Sequence, residues 1–201
     1  MLRRVVLLSA VVILAGLAVV ACSQAQEIKG VKIGDLAPDW QGIVGVDGKK
    51  HSLSDYKDAK IIVMVCTCNH CPVAVAYEDR IIQFQKDYSD KGVQVIAFNV
   101  NNIPADRLDK MIERAKEKGF NFPYIYDPTQ KMARDYGARV TPHFFVLDQE
   151  RKVRYIGAMD DNNNPDRVTR NYLREAVDAL LAGQPVPVPE TQARGCTVKY
   201  E

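Results

Sequence analysis

The segment from Ile61 to Cys71, IIVMVCTCNHC, constrains the fold more than any other part of the chain. Its first six residues are continuously apolar and mostly β-branched, which is typical of a strand buried on both faces of a sheet. Two cysteines, Cys68 and Cys71, follow this strand as Cys-x-x-Cys, and residues 77–88 then repeat apolar side chains at helical spacing. The sequence therefore predicts a buried strand, a loop that carries two thiols, and a helix whose N-terminus lies beside them.

The rest of the chain alternates strands with helices. A second apolar run over 93–100 predicts another buried strand, and the charged segment 104–118 predicts an amphipathic helix with Leu108, Ile112 and Ala115 facing inward. Strand–helix–strand units favour right-handed parallel crossovers, and a closing pair of strands adds antiparallel neighbours. We therefore predict an α/β fold, with a mixed central sheet flanked by helices and an N-terminal β-hairpin extension. The other predicted elements are a hairpin around Asp47-Gly48, strands over 122–126, 144–147 and 153–157, and helices over 130–136 and 166–181.

The N-terminus has the pattern of an export signal. Arg3 and Arg4 precede an apolar run from Val5 to Val20, which as a helix spans about 24 Å, less than the ~30 Å hydrocarbon core of a bilayer. The run ends in VVAC, which resembles the bacterial lipobox and implies that Cys22 is lipidated. Since no aspartate follows Cys22, resemblance to Gram-negative lipoproteins implies an outer-membrane anchor facing the periplasm. Cleavage after Ala25, giving a soluble periplasmic protein, is the alternative, and an uncleaved anchor is a third.

The composition of the remaining chain and its predicted export together limit the possible functions. The leader is followed by about 180 residues, enough for one domain with its own core. A formal net charge of +2 with interspersed charges predicts no nucleic-acid partner. Disulfides form and persist outside the cytosol, so the cysteines after residue 22 are open to redox chemistry. The predicted boundaries are a signal peptide over 1–21, a lipid-anchored tether over 22–33, a domain over 34–183 and an extended tail over 184–201.

The loop Cys68-Asn69-His70-Cys71 has the composition of a redox-active disulfide site. If the helix begins at Cys68, free backbone N–H groups and the helix dipole lower the pKa of this thiol below its ordinary ~8.5. Cys68 then attacks a substrate disulfide, and Cys71, one turn inside the helix, resolves the mixed disulfide. Asn69 and His70 tune the pair. This chemistry needs no cofactor, because the disulfide carries the electrons, but it needs protein thiol or disulfide substrates and a redox partner.

A second element lies downstream, in GARVTPHFFVLD. Pro142 stands just before a predicted strand, where proline fits poorly in a central ladder, and a cis Thr141–Pro142 bond is therefore expected. Together with the Cys-x-x-Cys, the runs GDLAPDW, TCNHCPVAVAYEDR, KGFNFPYIYD and GCTVK resemble the redoxin branch of the thioredoxin fold. The similar proteins are bacterial peroxiredoxin-like and thioredoxin-like lipoproteins, and the resemblance covers Gly34 to Lys199. It implies that Pro142 lies against the two cysteines and guides the substrate's backbone.

Two other activities fit part of the pattern. Peroxiredoxins carry Pro-x-x-x-Thr-x-x-Cys, but for Cys71 the Thr and Pro positions hold Cys68 and Met64, and the motif is equally missing for Cys66 and Cys68. Thiol peroxidase (antioxidant) activity is therefore an alternative function. A copper-binding redoxin chaperone is a second alternative, since thiolate and imidazole suit copper(I) and zinc, although the oxidoreductase interpretation needs no metal. The candidate ligands are Cys66, Cys68, Cys71, His70 and His143.

The remaining two cysteines have separate interpretations. Cys66 ends the buried strand, where a free cysteine packs as a small hydrophobic residue. Cys196 lies in the extended tail, after a proline-rich stretch. Cys196 is a third redox thiol that reaches the active site, a structural disulfide partner of Cys66, or a partly buried residue that docks the tail, and the sequence leaves these three open.

Overall fold

The structure is a computed structural model, and it describes residues 28–201. The predicted signal peptide and the predicted lipid attachment site at Cys22 lie outside the described residues. Among the helices that the structure describes, none is both long and apolar enough to cross a membrane. The N–H of Gly30 donates to the carbonyl oxygen of Arg134, so the end of the predicted tether already contacts the domain.

The described chain forms strands and helices in the predicted alternation. The strands are β1 (Ile43–Gly45), β2 (Lys50–His51), β3 (Ile61–Cys66), β4 (Val93–Asn99), β5 (Tyr124–Tyr126), β6 (Val140–Thr141), β7 (His143–Leu147), β8 (Val153–Gly157) and β9 (Cys196–Thr197). The helices are α1 (Pro72–Tyr88), α2 (Leu108–Lys118), α3 (Lys131–Tyr136) and α4 (Tyr172–Leu181). Short 3₁₀ turns lie at Leu53–Tyr56, Ser89–Lys91, Pro104–Asp106 and Pro165–Arg167.

Seven of the described strands form one mixed sheet, in the order β2-β1-β5-β4-β3-β7-β8. Strand β3 runs parallel to β4, and β4 runs parallel to β5, through crossovers that contain α1 and α2. The pairs β3–β7, β7–β8, β1–β5 and β1–β2 are antiparallel. The predicted α/β fold, with its mixed sheet and N-terminal hairpin, is therefore confirmed.

The side chains of β3 alternate between two core layers, as the period of a strand requires. The odd-numbered residues of Ile61–Cys66 pack in the layer that contains the buried faces of α1, α2 and α4. The even-numbered residues, which include Cys66, pack in the layer that contains α3. All six are buried, as predicted. The strand is thus fixed on both faces, and the loop that follows leaves its carboxyl end from a rigid base.

The predicted helix over 104–118 is broken in two. After the 3₁₀ turn at Pro104–Asp106, Arg107 is extended with φ −70° and ψ 162°, and α2 begins at Leu108. The break has a physical reason. It turns the carboxylate of Asp106 into the interior, where the carboxylate accepts several hydrogen bonds. Asp106 is fully buried, which a continuous surface helix would not allow.

Two other details of the helices differ from the prediction. Met111 is buried on the inner face of α2, whereas Ile112, predicted to face inward, is 42% exposed. The last helix begins at Tyr172 and not at residue 166. The chain before it is held in a loop, since both the N–H and the hydroxyl of Thr169 donate to the carboxylate of Asp161.

Candidate thiol site

The loop that carries the two cysteines leaves β3 and turns directly into α1. The helix begins at Pro72, and Cys71 is its N-cap residue, with φ −77° and ψ 117°. Proline suits the first helical position and disfavours helical geometry in the residue before it, so Pro72 sets this start. The prediction that the helix begins at Cys68 is therefore wrong, and Cys71 is the cysteine at the helix N-terminus.

Hydrogen-bond donors converge on the sulfur of Cys71. The thiol of Cys68 donates to it, and so do the N–H of Ala74 and the N–H of Cys196, each at 3.4 Å. These donors, with Cys68 contributing most, lower the pKa of Cys71 to about 4. When the thiol is protonated, it donates to the carbonyl oxygen of Thr141, 3.3 Å away. The N–H donors from α1 and from the chain around Cys196 thus favour a thiolate at Cys71.

The pKa of Cys68 shifts in the opposite direction. Its hydrogen bond to Cys71, and then its burial, raise the pKa of Cys68 above the ordinary range, which is opposite to the prediction. Its sulfur lies 3.2 Å from the hydroxyl oxygen of Thr141. Cys68 is 2% exposed and Cys71 is 0% exposed. Both sulfurs thus lie in a site that is closed to solvent.

A buried carboxylate supports the loop from its other side. Asp106 accepts hydrogen bonds from the N–H groups of Asn69 and His70 at 2.8 and 3.0 Å, from His70 Nδ1 at 2.5 Å and from Asn101 Nδ2 at 3.0 Å. Sequence reasoning missed Asp106. The run NVNNIPAD nevertheless held a signal, because polar residues directly after a buried strand gather where the carboxyl ends of parallel strands meet.

The predicted supporting residues Asn69 and His70 both lie on this polar side. The Nδ2 of Asn69 donates to the carbonyl oxygen of Ala105 at 3.0 Å, and its Oδ1 accepts from the hydroxyl of Tyr124 at 3.1 Å. The ligand-type atoms of His70, Asp106 and Cys68 all lie within 4.8 Å of one another. The bonded imidazole and carboxylate therefore lie close to the Cys68 thiol.

The predicted metal ligands do not all meet. Among the described residues, the one group of three or more ligand-type side chains consists of Cys68, His70 and Asp106. Cys66 packs in the α3 layer of the core, and burial raises its pKa. His143 is partly buried, desolvation lowers its pKa to about 4, and it is not a member of that group. Within this group His70 and Asp106 are hydrogen-bonded to each other.

The Thr141–Pro142 peptide bond is cis, as predicted. Thr141 is the last residue of β6, and it contacts both cysteines, with its hydroxyl towards Cys68 and its carbonyl towards Cys71. The structure therefore brings the main chain that leads into Pro142 directly against the Cys-x-x-Cys loop.

Cys196 lies beside the cysteine pair as well. It belongs to β9, which pairs antiparallel with β6 so that Cys196 stands opposite Thr141. Its side chain forms a hydrogen bond with that of Cys71 and packs against the small cluster of Cys68, Cys71 and Ala74. All four described cysteines are free thiols. The structure brings Cys196 to the Cys-x-x-Cys pair and leaves Cys66 in a different core layer.

The mixed sheet, the dithiol at a helix N-terminus and the adjacent cis-proline define a thioredoxin-fold protein of thiol redox chemistry. Residues 32–173 match the Redoxin family, and the chain belongs to that family. Its class consists of thiol–disulfide oxidoreductases and peroxidases that act on thiol substrates with redox partners. A comparison with curated proteins found no match.

Solved structures share the fold of this chain. A hypothetical protein from Sinorhizobium meliloti is 33% identical with a TM-score of 0.80, and the match covers 86% of this chain and 96% of that one. An uncharacterized conserved protein from Geobacillus kaustophilus is 37% identical with a TM-score of 0.80, over 85% and 93%. A candidate DsbE thiol:disulfide interchange protein from Chlorobium tepidum is 23% identical with a TM-score of 0.64, over 76% and 99%, and shows the shared fold alone.

Proposed function

We propose that this protein is a thiol–disulfide oxidoreductase that acts outside the cytosol, with Cys68 and Cys71 as its reversible disulfide couple. The observation that carries the proposal is that Cys68 and Cys71 pack in one buried cluster at the N-terminus of α1, where Thr141 contacts both sulfurs. Because the two thiols lie side by side, removal of two electrons joins them with little movement of the loop. A thiolate held by helix N–H groups is also the reactive form for exchange.

The N–H donors on the Cys71 sulfur support one order of the steps. The Cys71 thiolate attacks one sulfur of a disulfide R–S–S–R′, forms a Cys71–S–S–R bond and releases R′–S⁻. Cys68 then loses its proton to the released R′–S⁻, attacks the sulfur of Cys71 and releases R–S⁻. The substrate disulfide gains two electrons and the protein becomes a disulfide, and the reverse sequence oxidises a dithiol. These roles exchange those predicted from the sequence, because Cys71 and not Cys68 lies at the helix N-terminus.

The main chain before the cis-proline supports docking of an extended segment beside the sulfurs. Extended segments pair with strand edges through backbone hydrogen bonds, and Thr141 ends β6, which contacts both cysteines and already pairs with β9 along one edge. A cavity of about 140 Å³ adjoins Pro142, with Tyr77, Asp160 and Arg194 among its lining residues. This cavity offers room for a side chain of the docked segment.

The N-terminal pattern supports export and attachment of the protein through a lipidated Cys22. Anchoring at the outer membrane would keep the couple in a compartment where disulfides persist. Replacing Cys22 by alanine is expected to release the protein from the membrane fraction into the soluble periplasmic fraction. Wild-type protein that fractionates as soluble would contradict the anchor and favour simple secretion.

The test equilibrates the purified full chain with defined ratios of reduced and oxidised dithiothreitol. Free thiols are then alkylated and the disulfides are mapped by mass spectrometry. We expect a single two-electron Cys68–Cys71 couple and catalysed reduction or oxidation of a protein disulfide. Both are abolished in Cys68→Ser and in Cys71→Ser, but are kept in the matched control Cys66→Ala. Catalysed turnover of the protein disulfide that persists undiminished in either serine variant overturns the proposal.

The measured reduction potential of the couple also sets the direction of electron flow. A value near the roughly −270 mV of thioredoxin indicates a reductase, and a value near the roughly −120 mV of a strong oxidant indicates an oxidase.

One observation favours thiol peroxidase activity as the second candidate. Cys68 occupies the position at which the peroxiredoxin motif has its threonine, and its thiol donates to Cys71 as that hydroxyl would. Hydrogen peroxide would then oxidise the Cys71 thiolate to a sulfenic acid and release hydroxide, which takes a proton from solvent to become water. Cys68 would condense with the sulfenic acid to form the disulfide and a second water. Turnover with peroxide that exceeds turnover with a protein disulfide identifies the peroxidase.

A further inference from the structure

The tail of the chain occupies the edge at which we place an extended substrate segment. Strand β9 pairs with β6, with Cys196 opposite Thr141 and Thr197 opposite Val140. The contact is close, because a Cβ added at Gly195 would lie 1.9 Å from the carbonyl oxygen of Thr141 and 3.3 Å from the nitrogen of Pro142. The tail therefore makes within one chain the backbone pairing that an external peptide would make in a complex.

Anchors on both sides hold this strand in place. Before it, the N–H of Thr191 donates to the carbonyl oxygen of Ile156 at 3.0 Å. After it, the N–H of Lys199 donates to Asn101 Oδ1 at 2.8 Å. The end of the chain is tied as well, since the N–H of Glu201 donates to the side chain of Gln130 at 2.9 Å. These hydrogen bonds fix the tail along its length, so the tail forms part of the site.

The three thiols of this site differ in their access to solvent. Cys68 and Cys71 are buried, whereas Cys196 is only partly buried. Cys196 also touches the reactive sulfur, through its N–H at 3.4 Å and through a hydrogen bond between the two side chains. Cys196 is thus the one thiol of the three that both faces the outside and contacts Cys71.

We propose that Cys196 is a third catalytic thiol, which exchanges with external disulfides and passes them to Cys71. This inference rests on the proposed function and names the partner of Cys71 in the first exchange. Thiol–disulfide exchange requires an approach of one sulfur to another along the disulfide. The buried pair meets that requirement towards Cys196 without opening the tail.

The steps balance in atoms and electrons. Cys196 loses its proton to solvent, attacks a disulfide R–S–S–R′, forms Cys196–S–S–R and releases R′–S⁻. The Cys71 thiolate attacks the sulfur of Cys196, forms a Cys71–Cys196 disulfide and releases R–S⁻. Cys68 gives up its proton and attacks the sulfur of Cys71, which forms the Cys68–Cys71 disulfide and returns Cys196 as a thiolate. The external disulfide has gained two electrons, the pair has lost two, and the Cys68 proton goes to a product thiolate.

The first experiment traps the intermediate. The full-length Cys68→Ser variant lacks the final attacking thiol, so oxidation by glutathione disulfide is expected to leave a Cys71–Cys196 disulfide, mapped by mass spectrometry after alkylation. A Cys71–glutathione mixed disulfide with a free Cys196 overturns the relay. In the wild-type chain the same treatment is expected to end at the Cys68–Cys71 disulfide.

The second experiment separates a relay from mere proximity. Cys196→Ser is expected to slow reduction of a protein disulfide, with insulin as the probe, by about tenfold or more, because the accessible thiol is gone. The reduction potential of the Cys68–Cys71 couple is expected to stay nearly unchanged, and Cys66→Ala serves as the matched control. An unchanged rate would show that Cys196 takes no part in exchange. A faster rate would show that the tail blocks access to the pair. Either result overturns the relay. Absence of the couple in the wild-type chain is a different result, since it refutes the proposed function itself.

Discussion

The Cys68–Cys71 loop is held on two flanks, and the two flanks use different chemistry. On the polar flank, formed by Asp106 and Asn101, a buried carboxylate receives four hydrogen bonds of 2.5–3.0 Å. On the thiol flank, formed by Thr141, Pro142 and Cys196, the contacts to sulfur measure 3.2–3.4 Å. Bonds to a charged carboxylate are among the stronger hydrogen bonds in proteins, while thiols are weak donors and acceptors.

The difference suggests a division of labour within one small site. The polar flank fixes the backbone of the loop, because its acceptor binds two successive N–H groups. The thiol flank sets the ionisation and the exchange partners of the sulfurs, and its weaker contacts can be exchanged as disulfides form and break. Changes on the polar flank should therefore act mainly on stability, and changes on the thiol flank mainly on reactivity.

The largest effect is expected from the polar flank. Asp106→Ala removes a fully buried acceptor and leaves several donors unsatisfied, which should lower the free energy of unfolding by about 3 kcal/mol. Urea unfolding of the reduced protein measures this change. The matched control is Asp109→Ala, an exposed carboxylate in the adjacent helix, for which a change within about 0.5 kcal/mol is expected. Equal losses in the two variants would remove the distinction between the flanks.

The backbone contact of the thiol flank should produce the next largest effect. Gly195→Ala places a methyl group where the carbonyl of Thr141 lies, so β9 must shift away from β6, at a cost of about 1–3 kcal/mol. The shift exposes Cys71, and its alkylation by iodoacetamide is expected to become faster than in the wild type. Thr197→Ala, at an exposed position of the same strand, serves as the control. Unchanged alkylation would show that the tail does not cover the pair.

The ionisation of Cys71 gives a pH dependence. Its pKa is lowered to about 4 in the folded reduced protein, whereas an unfolded thiol titrates at about 8.5. Because the folded value is the lower one, this group's contribution to stability is complete above the unfolded value and declines as pH falls towards 4. The thiolate absorbance of the reduced wild type, minus that of Cys71→Ser, is expected to persist at neutral pH and vanish near pH 4. A midpoint near that of an ordinary thiol would contradict this picture.

The smallest effect is expected from a single hydroxyl. Thr141→Val removes the oxygen that lies 3.2 Å from the Cys68 sulfur but keeps the backbone carbonyl that faces Cys71. A change of about 1 kcal/mol in the balance between dithiol and disulfide is expected, equal to a few-fold change in the equilibrium constant. Thr141→Ser keeps the hydroxyl and should retain the wild-type equilibrium. A shift of equal size in both variants would assign the effect to packing.

The fold follows from local patterns, and the site follows only in part. The apolar run of Ile61–Cys66 predicts a central buried strand because its period and composition are local properties. The cis bond at Pro142 was also predictable, since proline before a strand has few acceptable geometries. By contrast, two partners of Asp106, Asn69 and His70, lie 37 and 36 residues away in the chain. No local sequence pattern predicts contacts over that separation. The start of α1 differs from the prediction because Pro72 favours the first helical position and keeps the cysteines before it out of the helix.

The position of Glu201 has a practical consequence for work on this protein. Its N–H binds Gln130, and its carbonyl oxygen accepts from Arg134 at 2.6 Å, only five residues beyond Cys196. An affinity tag or fluorescent fusion joined at Glu201 would therefore disturb the strand that contacts the Cys71 sulfur. Purification handles and reporters belong elsewhere, or the altered redox behaviour of a tagged protein will be mistaken for its own.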